Sequence, residues 1–122
     1  MFQRFGRYIS LAVAAGVLAM QDGAALATNS YNANTPSPVR ITRVLTYNGA
    51  PFFYFTVETL PSNIPSCATS TLFRAEGSTP EMTQHMLARV LNAYNLREPV
   101  NIGYDGLACP PGDPAVWVAE VG

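Results

Sequence analysis

Two cysteines, one histidine and a scatter of carboxylates are the side chains of this sequence with chemistry to offer. Cys67 and Cys109 lie 42 positions apart and form the only pairing available. With His85 they supply three soft ligands, one short of a closed structural zinc site. His85 would need a partner acid or nucleophile to act as a general base, and no spacing in the chain points to one. It reads as a surface or helix-boundary residue. The carboxylates fall in no ligand spacing, and Asp105–Gly106–Leu107 lacks the rest of a calcium loop. Gly103 and Gly106 read as turn or close-packing positions, since no phosphate-cradling glycine pattern surrounds them. The sequence therefore points to no metal, no cofactor and no catalytic site, and the expectation is a binding protein rather than an enzyme.

The fate of the cysteines depends on compartment, and the N-terminus speaks to that. Met1 to Arg7 is a short basic head, Tyr8 to Met20 is apolar almost throughout, and Ala25–Leu26–Ala27 is a small-x-small cleavage signal. Basic, apolar, small is the order of a secretory leader, and the apolar run is too short to span a bilayer. The expectation is an exported chain, periplasmic or extracellular, whose mature form starts at Thr28. An oxidising compartment then makes Cys67–Cys109 a disulfide. Taking residues 1–27 from the 122 leaves 95, enough for one domain. In that part five arginines face seven carboxylates, a net charge of −2, and lysine is absent. Such a surface has no basic groove for a phosphate backbone, which excludes nucleic acid as the expected partner. No second long apolar segment predicts a membrane span in the mature protein.

These residues must be positioned by short elements. Residues 28–38 carry three Asn, two Pro and two Ser, and read as a flexible polar arm with Tyr31 as its only large apolar side chain. From Val39 the pattern alternates, with Val39, Ile41, Arg43, Leu45 and Tyr47 on one face, which predicts a first strand. Asn48–Gly49 predicts a type I′ turn into a second strand over 51–59. Leu60 to Ser66 contains two prolines and is a loop. A third strand is expected over roughly 69–75. Ser78 and Glu81 fit a capping box with Pro80 in the first turn, predicting a helix over 79–95 that buries Met82, Met86, Val90 and Leu91. A fourth strand over 100–104, a stiff Pro110–Pro114 loop and a last strand over 115–121 complete the chain.

Trp117 divides two readings by its phase. If it fills the core, its neighbouring valines face outward, and this is the expectation because tryptophans are usually largely buried. In the opposite phase Val116 and Val118 point inward, and Trp117 becomes an interface anchor or a platform for a sugar ring. Tyr31, Tyr54 and Tyr104 pose the same choice between packing and ligand stacking, with packing expected.

Five strands with one helix between the third and fourth is the element order of an OB-fold, a Greek-key barrel in a mainly β, α+β class. A cysteine before the third strand, the Ser/Thr-Pro-capped helix and a second cysteine after the short Val100–Tyr104 strand resemble small exported bacterial proteins. These in turn resemble the B subunits of subtilase-cytotoxin and pertussis-like A–B toxins, and the likeness covers residues 39–121. It implies glycan binding, a pentameric ring and a partner toxin subunit. The B subunits carry a cysteine in the second strand, where this chain has Phe52 to Val57 without one. Their sialic-acid-contacting serine has only Ser30 and Ser37 as nearby counterparts. On an OB barrel the ligand face lies on the second and third strands, which here means around Tyr54, Thr56, Glu58 and Arg74. The expected function is a secreted, disulfide-bonded binding module for a glycan or an exported protein. The alternative is a periplasmic structural or regulatory protein that makes only protein–protein contacts.

Overall fold

The computed structural model describes residues 32–122, so the expected leader over 1–27 and residues 28–31, Tyr31 among them, lie outside the described residues. The described part is mainly β with one helix. Its elements are β1 (Ala33–Asn34), β2 (Ile41–Thr46), β3 (Phe53–Val57), β4 (Phe73–Ala75), α1 (Pro80–Leu96), β5 (Ile102–Tyr104) and β6 (Val116–Val121). All six strands join one mixed sheet in the order β1-β5-β6-β4-β3-β2, in which only β4 and β6 run parallel. The sheet is not closed. At one end, a bridge between Val39 and Val100, with N–H···O distances of 2.9 and 2.8 Å, links the approach to β2 with the approach to β5.

The sixth strand is the departure from the five expected. Ala33 and Asn34 pair with Tyr104 and Gly103, in a segment read as arm. Polar side chains fasten it where apolar ones are missing. Thr35 is buried, its N–H donates to the Ile102 carbonyl, and its hydroxyl accepts from the Ile102 N–H. Asn32 accepts from the Gly106 N–H and donates to Asp105.

β2 starts in the expected phase and then changes it. Ile41 is opposite Val57, and Arg43 is already opposite Thr56, so Thr42 is the extra residue of a bulge. Beyond it Val44 turns inward opposite the fully buried Phe55, and Arg43 and Leu45 face out. The connection to β3 also departs from expectation. Only Gly49 of the Asn48–Gly49 pair has positive φ, at 81°, and the Ala50 N–H donates to the Tyr47 carbonyl. That is the pattern of a type II turn, which needs glycine at its second central position alone.

The helix is capped by Thr79 rather than Ser78: the Thr79 hydroxyl accepts from the Met82 N–H, and Pro80 opens the first turn. Its buried face is Thr83, Val90 and Ala93, with Met86 and Leu87 packed at the margins. Met82 and Leu91, expected inside, are exposed by 52% and 40%. The helix stops at Arg97, whose φ of 55° is left-handed, and the Glu98 N–H returns to the Ala93 carbonyl in a Schellman cap.

The core lies between the helix and one side of the sheet. Phe53, Phe55, Phe73, Tyr104, Val116 and Val118 are each exposed by 2% or less. Phe55 stacks on Phe73 at 5.4 Å, and Tyr104 meets Phe73 edge-on. The Cys67–Cys109 disulfide ties the loop before β4 to the loop after β5. Among the described residues no helix is long and apolar enough to cross a membrane.

Candidate ligand-binding face

Strand alternation dictates what the outer side of the sheet carries. Phe53 and Phe55 point inward from β3, Phe73 and Ala75 from β4, Val116 and Val118 from β6. The intervening residues must point out. Tyr54 is opposite Arg74, and Arg74 is opposite Trp117, so the three form one row across three strands. Leu45 extends the row onto β2 opposite Tyr54. Trp117 is thus half-buried on the outer face, which overturns its expected core position: the two flanking valines occupy the core instead.

Arg74 is the hub of the row. Its Nη1 donates to Asp113 Oδ2 at 3.1 Å, and its Nε and Nη2 donate to Glu76 Oε1 at 3.2 and 2.9 Å. Its guanidinium lies 3.7 Å from the centre of the Phe52 ring, a cation–π contact. The Tyr54 hydroxyl donates to the same Asp113 oxygen at 2.6 Å. Phe52 and Tyr47 both meet the Tyr54 ring edge-on, at 5.4 and 5.7 Å. Burial pushes the Tyr54 hydroxyl above its ordinary pKa, and the hydrogen bond and charge of Asp113 push the same way. For Arg74 burial acts to lower the pKa, but its hydrogen bonds to Asp113 and Glu76, with the charge of Glu76, outweigh it and the net direction is up. Trp117 Nε1 is buried and has no acceptor among the described residues.

Asp113 reaches this face through a turn written plainly in the sequence. Pro111 and Gly112 occupy the central positions of a turn closed by the Asp113 N–H on the Pro110 carbonyl, with Gly112 at φ 69°. Proline followed by glycine is the type II signature. The Pro114 carbonyl then accepts from the Ser70 N–H, and Cys109 anchors the near end of the loop.

Of the residues expected in a ligand site, Tyr54, Arg74 and Trp117 come together and Glu58 does not. Glu58 follows β3 at about 13 Å from Tyr54 by strand rise. There it forms an exposed 3.7 Å ion pair with Arg40, a contact of small energetic weight. Thr56 shares a 2.7 Å hydroxyl contact with Thr42 at the bulge. Tyr104 is fully buried, with its hydroxyl on Asn63 and its pKa raised by burial. Asp113, Glu76 and Phe52 were missed. The alternation of Arg74 and Glu76 was the available signal for one of them, and Pro–Gly–Asp for another.

His85 is exposed on α1, and among the described residues no group of three or more His, Cys, Asp or Glu could hold a metal ion. A second, amide-rich cleft of about 650 Å³ lies between Asn32, Asn34, Asn63 and Leu107. Two of its side-chain amides are engaged in the fold: Asn63 donates to the Asn34 backbone carbonyl and accepts from Tyr104, while Asn32 accepts from the Gly106 N–H. A comparison of the chain with known protein families, curated proteins and solved structures finds no match.

Proposed function

We propose that this chain is a small exported binding module of OB-fold type, akin to the toxin B subunits, which presents the outer face of β3, β4 and β6 to a glycan and catalyses nothing. The observation that carries this reading is the Tyr54–Arg74–Trp117 row. Sugar recognition asks for an aromatic surface under the apolar face of a pyranose ring, with fixed polar groups at its edge. Tyr54 and Trp117 are the surface, and Arg74, Asp113 and Glu76 are the fixed polar groups. Three features favour the OB topology: the β2–β3–β4 meander, the parallel β4–β6 pair and the Val39–Val100 bridge toward barrel closure. The disulfide is compatible with export to an oxidising space.

The test is a glycan array probed with the oxidised mature protein beside its Tyr54→Ala and Trp117→Ala variants. Binding by the parent that is lost in both variants is the expected result. Binding that survives both places the ligand elsewhere, and a blank array favours a protein partner for the same face. Affinity per subunit is expected to be weak and to be multiplied if copies form a ring, which the mass in solution reports.

A further inference from the structure

We propose that Asn48 is a self-modification site, where the chain converts this asparagine to aspartate and isoaspartate with water as the only co-reactant. The Asn48 side chain is exposed in the β2–β3 turn, and Gly49 follows it with φ at 81°. In the reaction the Gly49 amide nitrogen gives its proton to water and attacks Cγ of Asn48. The bond from Cγ to the side-chain nitrogen breaks, that nitrogen takes up a proton, and ammonia leaves behind a five-membered succinimide. Water then opens the ring. Cleavage between Cγ and the Gly49 nitrogen gives aspartate. Cleavage between the main-chain carbonyl carbon and that nitrogen gives isoaspartate, in which the main chain runs through the former side chain.

The turn leaves this attack open. Its closing hydrogen bond is donated by Ala50 to the Tyr47 carbonyl, and the Gly49 N–H is in no hydrogen bond among the described residues. Nothing among them lies within 4 Å of the place a Cβ on Gly49 would take, so the nitrogen is not walled off. Glycine also lets the main chain swing toward Cγ with no side chain in the way. Every other asparagine of the sequence is followed by a residue that carries a side chain. Asn34, Asn63 and Asn101 precede the β-branched Thr35, Ile64 and Ile102, while Asn92 and Asn95 lie in α1.

Asp105–Gly106 is the internal contrast. An aspartate before glycine closes the same ring by losing water, but here both reacting groups are occupied. Asp105 is buried, and its Oδ1 accepts from the Leu107 and Ala108 N–H groups. The Gly106 N–H donates to Asn32 at 2.6 Å. Ring closure there would break all of these bonds. At Asn48 the consequence falls on the outer face instead. Isoaspartate adds a main-chain carbon between Tyr47 and Ala50, whose 3.2 Å hydrogen bond closes the turn, and Tyr47 meets the Tyr54 ring edge-on.

The experiment incubates the oxidised protein in warm, mildly alkaline buffer beside synthetic peptides of residues 44–52 and 102–110. Peptide mapping by mass spectrometry follows every asparagine and Asp105. Asn48 of the folded chain should lose its amide at least about tenfold faster than any other asparagine, and less than about tenfold more slowly than in its peptide. Asp105 should isomerise at least about tenfold more slowly than in its own peptide. Asn48→Gln would have to close a six-membered ring, and it leaves Gly49 to make the turn. This variant should keep its amide and its melting temperature while the parent loses both. Another asparagine converting first overturns the proposal, as does an Asn48 protected more than about tenfold by the fold. Aspartate forming with no isoaspartate means direct hydrolysis and overturns it too. Equal rates at Asp105 in chain and peptide, or a converted parent that melts with Asn48→Gln, overturn the part assigned to the turn's geometry.

Discussion

Tyr54 and Asp113 are 59 positions apart in the chain, and their 2.6 Å contact is the shortest polar bond in the outer row. Because the acceptor is ionised and part-buried, Tyr54→Phe should lower stability by about 1–2 kcal/mol in urea unfolding, while Phe keeps the ring contacts to Tyr47 and Phe52. The same tyrosine makes the fold sensitive to alkali. Tyr54 and Tyr104 both have pKa values raised above 10.0, so the folded state binds their protons more tightly than the unfolded chain does. Their contribution is complete below about pH 10 and is lost as pH rises through the raised values. Melting temperature should therefore fall as pH rises above about 10, the ordinary tyrosine value. The fall should be shallower in Tyr104→Phe, and a flat profile would contradict the burial of both hydroxyls. Arg97 adds a third residue-scale test: a non-glycine at φ 55° is strained, so Arg97→Gly should gain up to about 1 kcal/mol. Tyr54 and Arg74 were named because an OB barrel carries its ligand face on the second and third strands, and the sheet pairs the two side by side on its outer face. Asp113 was not legible, because a long-range loop delivers it, and the phase of Trp117 could not be set from hydropathy when valine, tryptophan and alanine are all apolar.

The helix shows how far an amphipathic pattern can be read. The expected limits of α1 hold to within a residue, because Pro80 and Pro99 are local signals, although the cap is Thr79 and not the expected Ser78. The buried face was harder to read. Large apolar residues occupy more than half the circumference of α1, and the side that faces β2, β4 and β6 is centred on Thr83, Val90 and Ala93. Two of those three are small, and a search for bulky side chains passes over them. Close approach explains their size: the Thr83 hydroxyl accepts from the Gly77 N–H at 2.8 Å, which holds the start of the helix against the end of β4. Val90 is fully buried, so Val90→Asp should abolish the cooperative transition by burying an unpaired charge. Leu91→Asp, on the exposed flank, should cost less than about 1 kcal/mol. Circular dichroism melts of the two variants side by side check the assignment, and the reverse order would put the other face inside. The same competition between local and tertiary signals explains β2, where the alternation is real but slips by one residue at Thr42.

At the scale of the whole molecule the disulfide joins two loops that the strand ladder does not otherwise hold. The described sheet buries its aromatic core on one side only, and β1, β4 and β5 are two or three residues long. For a domain this size total stability is of order 5–10 kcal/mol. Closing a loop of 42 residues contributes about 4 kcal/mol in the chain-entropy model, so the bond is a major term. It also fixes the start of the segment that ends in Asp113. Three hydrogen bonds also hold this region: Ser70 to Pro114, and Tyr54 and Arg74 to Asp113. Replacing Cys67 and Cys109 together by serine should therefore lower unfolding free energy by about 4 kcal/mol while the cooperative transition persists. In the double variant below its lowered melting point, the 110–114 loop should exchange amide protons faster, and the β3 and β4 amides should exchange at rates set by the new global stability. A loss well under 1 kcal/mol, with the loop as protected as before, would mean that Ser70 and Asp113 hold it without the disulfide. The outer face of β3, β4 and β6 would then keep its shape in a reducing compartment as well as in an oxidising one.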